Sequence, residues 1–511
     1  MMQKYYFPAD IRRADVIAAE ECGVPSVVLM ENAAKSAARE AGLLADGARG
    51  PFVVLAGVGN NGGDGFAAAR HLLIGGADVV VLKCADDGRY KNDAAVNLSI
   101  LRRLKSEKLR ICDTPEMTDA EISALLDEAA CVMDGLLGTG TTGAPRKEAA
   151  RLLALLDGYE NIVALDIPSG IDPASGAVYE PCAKAAVTVT FLAPKFGMAF
   201  EPAKSVCGKV VTADIGVPPF ALLPEEPALT LLTGGDMRGF MPELPRDVHK
   251  TQRGNVLIIA GSAEYRGAPL LAARGALRAG AGLVFLAVPE FIAPYASEKL
   301  PEAIVVPLAV KGGEILSRDA ENVLSEIAPK CASVVAGPGC GRSDGADELF
   351  VWLWHRCALP MLLDADMLWF FARHRAALPP RGDVLLTPHS AEAGRILGMS
   401  AAEVDSQRAE CARKLTYKTG NALLKGRGTL VASGCSLKMI GAGSPVLAVP
   451  GSGDTLSGII GAFIASGMSV GDAAAAGALA HATAGETLEA KRGVRGTLAT
   501  EIADEIPSIL R

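Results

Sequence analysis

Residues 449–458 combine a glycine-rich turn with a single acidic side chain and lead directly into an apolar segment, with the sequence Val-Pro-Gly-Ser-Gly-Asp-Thr-Leu-Ser-Gly. Gly451 and Gly453 allow a tight turn, and the N–H groups of a following helix would point at an anion. Because a carboxylate repels a bound phosphate, we interpret Asp454 as a general base acting on a substrate hydroxyl. The pattern predicts phosphoryl transfer, and an ordinary helix N-cap is the alternative for Asp454.

A second group of polar residues follows three strand-like runs in the first half of the chain. Asn61 lies in a glycine-rich turn after the first run, whereas Asp134 and Asp166 end the second and third. Ligands of open parallel sheets bind beyond the carboxyl ends of strands, so these residues are expected to share one pocket. Oxygen atoms of Asn61, Asp134 and Ser169 would suit a hard, weakly held cation rather than zinc. Taken singly, each residue has an Asx turn or a helix cap as its alternative.

Two glycine-rich segments frame this predicted pocket. A flexible, donor-rich loop of this kind is fit to bind phosphate. The first segment consists of Asn60, Asn61, Gly62, Gly63 and Asp64. The second consists of Gly138, Thr139, Gly140, Thr141, Thr142, Gly143 and Ala144.

The second half of the chain contains further strand ends that would bring the backbone close to a ligand. Gly339 follows one strand-like run, His389 follows another, and Ala268 opens a small-residue helix. The segment 425–429, Lys-Gly-Arg-Gly-Thr, lies between two apolar runs. A hairpin with a solvated lysine is the structural alternative for this segment, and a satisfied core histidine is the alternative for His389.

Composition restricts the class of protein. The chain has 511 residues, of which 50% are hydrophobic and 56 are glycine, which indicates two α/β domains. The net charge is −8 and no basic run occurs, so nucleic-acid binding has no electrostatic support. The 11 cysteines are scattered without a C-x-x-C pair, as in a reducing cytoplasm. No signal peptide or membrane-spanning run is evident, and we therefore expect a cytoplasmic protein that does not enter a membrane.

Strand-like runs alternate with helical patterns in both halves, which predicts two doubly wound parallel sheets. The expected strands of the first half are 52–57, 78–83, 130–134, 161–166 and 210–215, with helices over 14–44 and 66–73. Those of the second half are 255–261, 283–288, 333–337, 361–364, 383–387 and 421–425, with a helix over 268–280. Proline is dense over 216–247 and should stop regular elements there. The predicted domains are 1–217 and 241–511, joined by a linker over 218–240.

The first half resembles the NAD(P)H-hydrate epimerase domain, a Rossmann-like fold. The motifs that carry the resemblance are Asn-Asn-Gly-Gly-Asp-Gly, Asp-Gly-Leu-Leu-Gly-Thr-Gly and Leu-Asp-Ile-Pro-Ser-Gly-Ile-Asp. The resemblance implies that residues 60–64 and 138–144 bind the hydrated nucleotide and that Asp166 contacts it. It also implies that Asn61, Asp134 and Ser169 hold a potassium ion, K⁺.

The second half resembles the ADP-dependent NAD(P)H-hydrate dehydratase, a ribokinase-like fold. The resemblance implies a substrate site formed by Ala268, Gly339, His389 and Asp454. The implied ADP site consists of Lys425, Gly426, Arg427, Gly428, Thr429 and Gly453. This chain departs from the family at 367–369, where Met-Leu-Trp replaces the usual Ala-Leu-Asn, so a contact made by that asparagine would be lost.

The two resemblances together imply repair of hydrated NADH and NADPH, the small-molecule substrates NADHX and NADPHX. The epimerase would interconvert their R and S forms, and the dehydratase would convert the S form to NAD(P)H while ADP gives AMP and phosphate. Asp454 would be the catalytic base of the dehydratase, with Mg²⁺ neutralising phosphate charge. Either Asp166 or Asp64 would carry the epimerase proton, and Asp166 is our choice. Family resemblance further suggests a homo-oligomer.

Two other functions remain open at the level of sequence. A ribokinase-like small-molecule kinase would use the same glycine turn and base on a sugar or vitamin hydroxyl. Alternatively, the first half would be a non-catalytic scaffold. Intact Asp134 and Asp166, together with the absence of a basic patch, argue against the scaffold.

Overall fold

The computed structural model describes residues 2–241, 253–311 and 313–511. The chain divides into two compact units, which we call the N-terminal unit, Lys4–Leu229, and the C-terminal unit, Thr230–Arg511 with the first three residues. The strands β1 (Gln3–Tyr5) and β9 (Leu229–Leu232) each cross this division. The domain bounds expected from the sequence stay a prediction, and the start of the predicted second domain includes residues 242–252, which lie outside the described residues.

The N-terminal unit alternates parallel strands and helices. Its strands are β2 (Phe52–Ala56), β3 (Val79–Lys83), β4 (Leu109–Asp113), β5 (Cys131–Gly135), β6 (Ile162–Leu165), β7 (Val187–Phe191) and β8 (Lys209–Ala213). Its helices are α1 (Pro8–Glu20), α2 (Ser26–Leu44), α3 (Asn60–Ile74), α4 (Asn92–Leu104), α5 (Asp119–Asp127), α6 (Lys147–Ala154), α7 (Ala203–Val206) and α8 (Pro219–Leu222).

These seven strands form one parallel sheet in the order β4-β3-β2-β5-β6-β7-β8. Val54 and Ala56 pack into one hydrophobic cluster, whereas Val53 and Leu55 pack into another. Successive residues of a strand point to opposite faces, so both faces of the sheet are covered. The chain order reverses between β2 and β5, which places a ligand-binding crevice at their carboxyl ends.

Several sequence-based elements of this unit need correction. The single helix expected over 14–44 is two helices, since the chain turns at Gly23 with φ +69°. The helix expected from Phe66 begins at Asn60. Strands β4 and β7 were not predicted, although the run Val-Thr-Val-Thr-Phe in β7 has the β-branched composition of a strand.

The C-terminal unit is larger and also alternates strands and helices. Its strands are β9 (Leu229–Leu232), β10 (Asn255–Ile259), β11 (Leu283–Pro289), β12 (Ile304–Leu308), β13 (Val310–Lys311), β14 (Glu314–Ile315), β15 (Ser333–Ala336), β16 (Met361–Leu363), β17 (Val384–Leu386), β18 (Gly420–Leu424), β19 (Leu430–Ser433) and β20 (Ser436–Ile440). Its helices are α9 (Ala268–Arg278), α10 (Ala293–Lys299), α11 (Ser317–Ile327), α12 (Asp344–Arg356), α13 (Asp366–His374), α14 (Ser390–Leu397), α15 (Ala401–Ser406), α16 (Arg408–Leu415), α17 (Ser452–Ala465), α18 (Val470–Arg492) and α19 (Ala499–Ile509).

The main sheet of this unit runs β9-β20-β19-β18-β17-β16-β15-β10-β11-β12. Its central strands are parallel, whereas β18, β19 and β20 pair antiparallel. Helices α17 and α18 are buried along most of their length within the principal hydrophobic cluster. Small residues on all sides of α18 suit such a fully buried helix. The chain order reverses between β10 and β15, which predicts a second crevice there.

The expectation that proline stops regular structure over 216–247 is wrong for two segments within its described part, which ends at residue 241. Helix α8 begins with Pro219, a position where the missing N–H costs nothing because first-turn N–H groups lack partners. The strand β9 pairs in parallel with β20. None of the helices in the described part of the chain is both long and apolar enough to cross a membrane.

Candidate active sites

Residues 60–64 of the N-terminal unit form the first turn of α3, directly after β2. A Cβ added to Gly62 would lie 1.8 Å from the carbonyl oxygen of Gly57, so the close approach of helix and strand requires glycine. The N–H groups of Gly62 and Gly63 donate to Gly59 O at 3.1 and 3.3 Å. The two preceding N–H groups of the helix have no intrahelical acceptor and are the ones placed to meet an anion.

Asn61, Asp134 and Ser169 come together around Leu137. The Ser169 hydroxyl donates to Asp134 Oδ1 at 2.7 Å, and the Ser169 N–H donates to Asp134 Oδ2 at 2.7 Å. Asn61 Nδ2 donates to Leu137 O at 2.9 Å, while the buried Oδ1 of Asn61 has no hydrogen-bond partner among the described residues. Burial raises the pKa of Asp134, although the bonds from Ser169 oppose this. The cluster thus offers several oxygen atoms and a buried carboxylate.

The second glycine-rich segment, residues 138–144, lies beside this cluster as an irregular loop. A Cβ added to Gly138 would lie 3.3 Å from Cβ of Asn61, so the start of the loop packs on α3. From Thr139 to Ala144 the residues are exposed or partly exposed. The structure therefore brings both predicted segments to one edge of the sheet.

Asp166 forms a buried ion pair with a residue that the sequence analysis missed. Its carboxylate accepts from the Lys195 ammonium, and the Phe191 N–H donates to the same oxygen at 3.0 Å. Lys195 is fully buried and also donates to Thr190 Oγ1 at 2.9 Å. The backbone of Asp166 is left-handed, with φ +65°, a strained conformation that functional sites often contain.

Asp64 is the second acid of this site. Burial, with the carboxylates of Asp166 and Asp15, raises the pKa of Asp64 well above its usual range. The same two influences, burial and Asp166, raise the pKa of Asp15 on α1, while Lys195 opposes the increase. The raised pKa favours the protonated form of Asp64, whereas Asp166 accepts from an ammonium, so the two acids suit the roles of proton donor and proton acceptor.

The candidate site of the C-terminal unit lies at the carboxyl ends of five neighbouring strands, β10, β15, β16, β17 and β18. Helices α9 and α17 pack tightly side by side here. A Cβ added to Gly458 of α17 would lie 1.8 Å from Ala272 O of α9. This close packing fixes the first turn of α17, which carries Asp454.

Asp454 lies beside Lys425 and Asp364. Lys425 Nζ donates to Asp364 Oδ1 at 2.8 Å and lies 3.6 Å from the position of a Cβ added to Gly453. Ser457 donates to the other oxygen of Asp364 at 2.7 Å. Burial and the Asp364 carboxylate raise the pKa of Asp454 to about 7, whereas Lys425 opposes the increase. A carboxylate of that pKa is suited to general-base chemistry near neutral pH.

The segment 425–429 connects the antiparallel strands β18 and β19, so the hairpin alternative describes its backbone correctly. Arg408 braces the loop by donating to Leu424 O at 3.2 Å and to Lys425 O at 3.3 Å. Lys425 is not a solvated lysine, because its side chain is 22% exposed and ion-paired. Although burial opposes its charge, Asp364 and Glu392 raise the pKa of Lys425. The hairpin thus places a charged ammonium group next to the first turn of α17.

Ala268 and Gly339 face each other, since a Cβ added to Gly339 would lie 3.1 Å from Cβ of Ala268. His389 is the N-cap of α14, and its Nδ1 accepts from the Ala391 N–H at 3.2 Å. Its side chain is 56% exposed, so His389 is not a core histidine. These positions lie after strands β10, β15 and β17, at the same edge as Asp454.

Three further residues of this site were missed or left without a role by sequence reasoning. Asp364 was recognised only as a strand end, although its position directly after a buried strand was a usable signal. Glu392 accepts from the His389 N–H at 3.0 Å. Burial lowers the pKa of His481 to about 4, and its neutral ring lies 3.1 Å from the Ser452 hydroxyl in the first turn of α17.

The two sites and folds together define an α/β protein with a Rossmann-like unit and a ribokinase-like unit. Comparison with family models agrees: residues 26–197 match the YjeF-related protein N-terminus, and residues 256–508 match NAD(P)H-hydrate dehydratase. The C-terminal half is also similar to the ADP/ATP-dependent NAD(P)H-hydrate dehydratase from Bacillus subtilis, co-crystallised with ATP/Mg²⁺. The identity is 26%, the match covers 54% of this chain and 96% of that one, and the TM-score is 0.46.

Two relatives match the chain over nearly its whole length. The bifunctional NAD(P)H-hydrate repair enzyme Nnr of Thermanaerovibrio acidaminovorans is 39% identical over 510 residues, which are 99% of this chain and 98% of the relative. The enzyme of the same name from Escherichia coli K12 is 33% identical over 520 residues, 99% of this chain and 93% of the relative. The chain belongs to the family of bifunctional NAD(P)H-hydrate repair enzymes, which confirms the resemblance of both halves.

Proposed function

We propose that this chain repairs hydrated NADH and NADPH with one reaction in each unit. The N-terminal unit interconverts the R and S epimers, and the C-terminal unit dehydrates the S form while ADP gives AMP and phosphate. The observation that best supports this is Asp454, whose pKa of about 7 and position beside Lys425 suit deprotonation of a hydroxyl next to a phosphate. A cytoplasmic location and a homo-oligomeric state remain predictions.

In the dehydratase reaction, Asp454 takes the proton from the hydroxyl on ring carbon six. The hydroxyl oxygen then bonds to the terminal phosphorus of ADP, and the bond from that phosphorus to the bridging oxygen breaks to release AMP. Lys425 and the free N–H groups at the start of α17 would stabilise the charge that develops on the phosphoryl oxygens. Cleavage of the carbon–oxygen bond releases phosphate, and a proton leaves the neighbouring ring carbon to restore the dihydronicotinamide.

Ala268, Gly339 and His389 are proposed to contact the hydrated nicotinamide nucleotide, because they lie at the edge of the sheet that carries Asp454. The ADP site would comprise the hairpin 425–429 and Gly453. Lys425 would be the residue of the hairpin nearest the phosphates, since it is the one that approaches Gly453.

Mg²⁺ fits this site as an ion that arrives with the nucleotide. In the described part of the chain, no group of three or more His, Cys, Asp or Glu side chains is arranged to hold a metal. The carboxylates of Asp364, Glu392 and Asp454 nevertheless outnumber the single ammonium group of Lys425. Burial and the Asp364 carboxylate raise the pKa of Glu392, whereas Lys425 opposes this increase. Mg²⁺ prefers one or two carboxylates with substrate phosphates, so Glu392 would be its protein ligand and charge neutralisation its contribution.

In the epimerase reaction, Asp64 would supply the proton and Asp166 would accept one. Protonation lets the hydroxyl on ring carbon six leave as water while the electron pair of the ring nitrogen forms a double bond to that carbon. Water then adds to either face of the planar carbon, and its proton passes to Asp166. Lys195 would hold Asp166 in place for this transfer. This assignment gives separate roles to the two acids that the sequence left as alternatives.

K⁺ fits the cluster of Asn61, Asp134 and Ser169. No residue in the described part of the chain forms a hydrogen bond with the buried Oδ1 of Asn61, and a cation would satisfy it. A positive charge would also offset the buried carboxylate of Asp134. When bound, K⁺ would attract the substrate phosphates towards residues 60–64 and 138–144.

The test is the product balance of the C-terminal unit with the S form of NADPHX, ADP and Mg²⁺. We expect NADPH, AMP and phosphate in equal amounts from the wild type and none of them from Asp454→Asn. Asp504→Asn is the matched control, because Asp504 lies on α19 in an ion pair with Arg274. Consumption of ADP only on another alcohol, with no NADPH formed, would support the kinase alternative instead.

A further inference from the structure

Two arginine side chains stack on one tryptophan in the C-terminal unit. The Cζ atom of Arg342 lies 4.4 Å from the centre of the Trp369 ring, and that of Arg395 lies 4.8 Å from it. Guanidinium groups stack well on indole, and a stacked guanidinium keeps the N–H donors at its edge available for another partner. We call these three residues the arginine–tryptophan cluster.

The cluster lies beside the candidate substrate site. Arg342 follows the glycine-rich segment that contains Gly339, and its Nε donates to Asp366 Oδ1 at 3.1 Å. The Gly341 N–H donates to the other oxygen of Asp366 at 2.9 Å. Arg395 lies in the last turn of α14, the helix capped by His389. The three cluster residues therefore come from the segments that follow β15, β16 and β17, at the edge of the sheet that carries the site.

The charges of the two arginines are not equally compensated. Arg342 is paired with Asp366. For Arg395, the described residues provide no carboxylate within ion-pair distance, and its guanidinium stacks on the Trp369 ring. Glu392, one turn earlier on the same helix, is instead bonded to the His389 N–H. An exposed guanidinium held by stacking and lacking an anionic partner is suited to bind a phosphate group in a bidentate manner.

We propose that Arg395, held in place by Trp369, binds a phosphate group of the hydrated dinucleotide. The proposal rests on the proposed dehydratase function. The phosphate is either part of the diphosphate bridge, which both substrates contain, or the extra phosphate on the ribose, which only NADPHX contains.

The experiment compares the KM values of Arg395→Gln for the S forms of NADHX and NADPHX. Loss of a charge-assisted bond to phosphate should raise KM by about tenfold to a hundredfold while kcat stays unchanged. An increase for both substrates assigns the diphosphate bridge, and an increase for NADPHX alone assigns the ribose phosphate. Arg395→Lys should recover part of the affinity, because the positive charge remains without the planar fork.

Arg356→Gln is the matched control, because Arg356 is also exposed but lies in the last turn of α12, at the opposite edge of the sheet. KM values within twofold of the wild type for both substrates would refute the phosphate site. Calorimetric binding of both substrates to Asp454→Asn and to Asp454→Asn/Arg395→Gln tests the site without turnover. Equal affinities of these two variants would overturn the site, whereas a wild type that binds but never dehydrates would overturn only the proposed function.

Discussion

Asp454 should destabilise the C-terminal unit at the pH at which it is an effective base. Burial and Asp364 raise its pKa from 3.8 to about 7, so the native state holds the proton more tightly than the unfolded chain does. The stabilisation from this proton is complete below pH 3.8 and is lost as the pH rises through about 7. Over the same range the carboxylate becomes available as a base, so kcat/KM should rise with pH and reach half its maximum near 7.

The magnitude follows from the two pKa values. Relative to a side chain that does not titrate, Asp454 costs the native state about 2 kcal/mol at roughly pH 5.5 and about 4 kcal/mol at roughly pH 8.5. Asparagine cannot ionise, so Asp454→Asn should gain stability over the wild type by about 2 kcal/mol more at the higher pH. The inactive variant is thus predicted to be the more stable protein in alkaline buffer.

The assay is denaturant unfolding followed by tryptophan fluorescence. All 3 tryptophans lie in the C-terminal unit, so the signal reports on that unit. The control is Asp504→Asn. In the wild type, burial would raise the pKa of Asp504, but Arg274 outweighs burial and lowers it. The Asp504 carboxyl is therefore fully ionised at pH values from roughly 5.5 upwards. Its effect should be the same at both pH values. A stability difference between Asp454→Asn and the wild type that does not change with pH would refute the reasoning.

Three further predictions concern the ion pair, the cation site and the nucleotide site. Lys195→Met should lower the free energy of unfolding of the N-terminal unit by about 3–5 kcal/mol, because it leaves Asp166 buried without its partner. In thermal unfolding, the double variant Asp166→Asn/Lys195→Met should regain most of this stability, because neither charge is then left unpaired. Asn61→Ala should raise the K⁺ concentration needed to increase the Tm of that unit, and an unchanged K⁺ titration would exclude Asn61 as a ligand. Lys425→Met should raise the KM for ADP and move the acid limb of kcat/KM to a pH above 7, since Lys425 lowers the pKa of Asp454; an acid limb that stays at 7 would contradict the charge coupling.

The sequence was sufficient to predict the parts of each site that lie next to a strand. Asp134 ends one short buried run and Ser169 follows another, and parallel strands bring such positions to one edge. Asp454 was instead predicted from the glycine-rich turn that opens α17. The same logic located His389 and Lys425, although it could not decide whether either was buried. The burial of Lys425 depends on Asp364, which reaches it from the end of another strand, β16. The exposure of His389 depends on its place at the N-cap of α14.

The contacts missed by sequence reasoning are long-range ones. Lys195 lies 29 residues after Asp166, and no local pattern shows that its ammonium group is buried against the Asp166 carboxylate at the end of β6. Helix α3 begins at Asn60 because Gly62 allows the backbone to touch β2, whereas helix propensity alone places the start later. The stacking of Trp369 between residues of two other segments is equally invisible, since it arises only when three strand ends are adjacent.

The most direct test of a two-step repair enzyme is the recovery of the dihydronicotinamide absorbance from mixed R and S NADPHX with ADP, Mg²⁺ and K⁺. We predict complete recovery by the wild type. The double variant Asp64→Asn/Asp166→Asn should recover only the S fraction quickly, with the remainder limited by spontaneous epimerisation, and Asp454→Asn should recover nothing. Rapid, complete recovery by the double variant would contradict an epimerase site at these acids, and no recovery by the wild type would contradict the repair function itself.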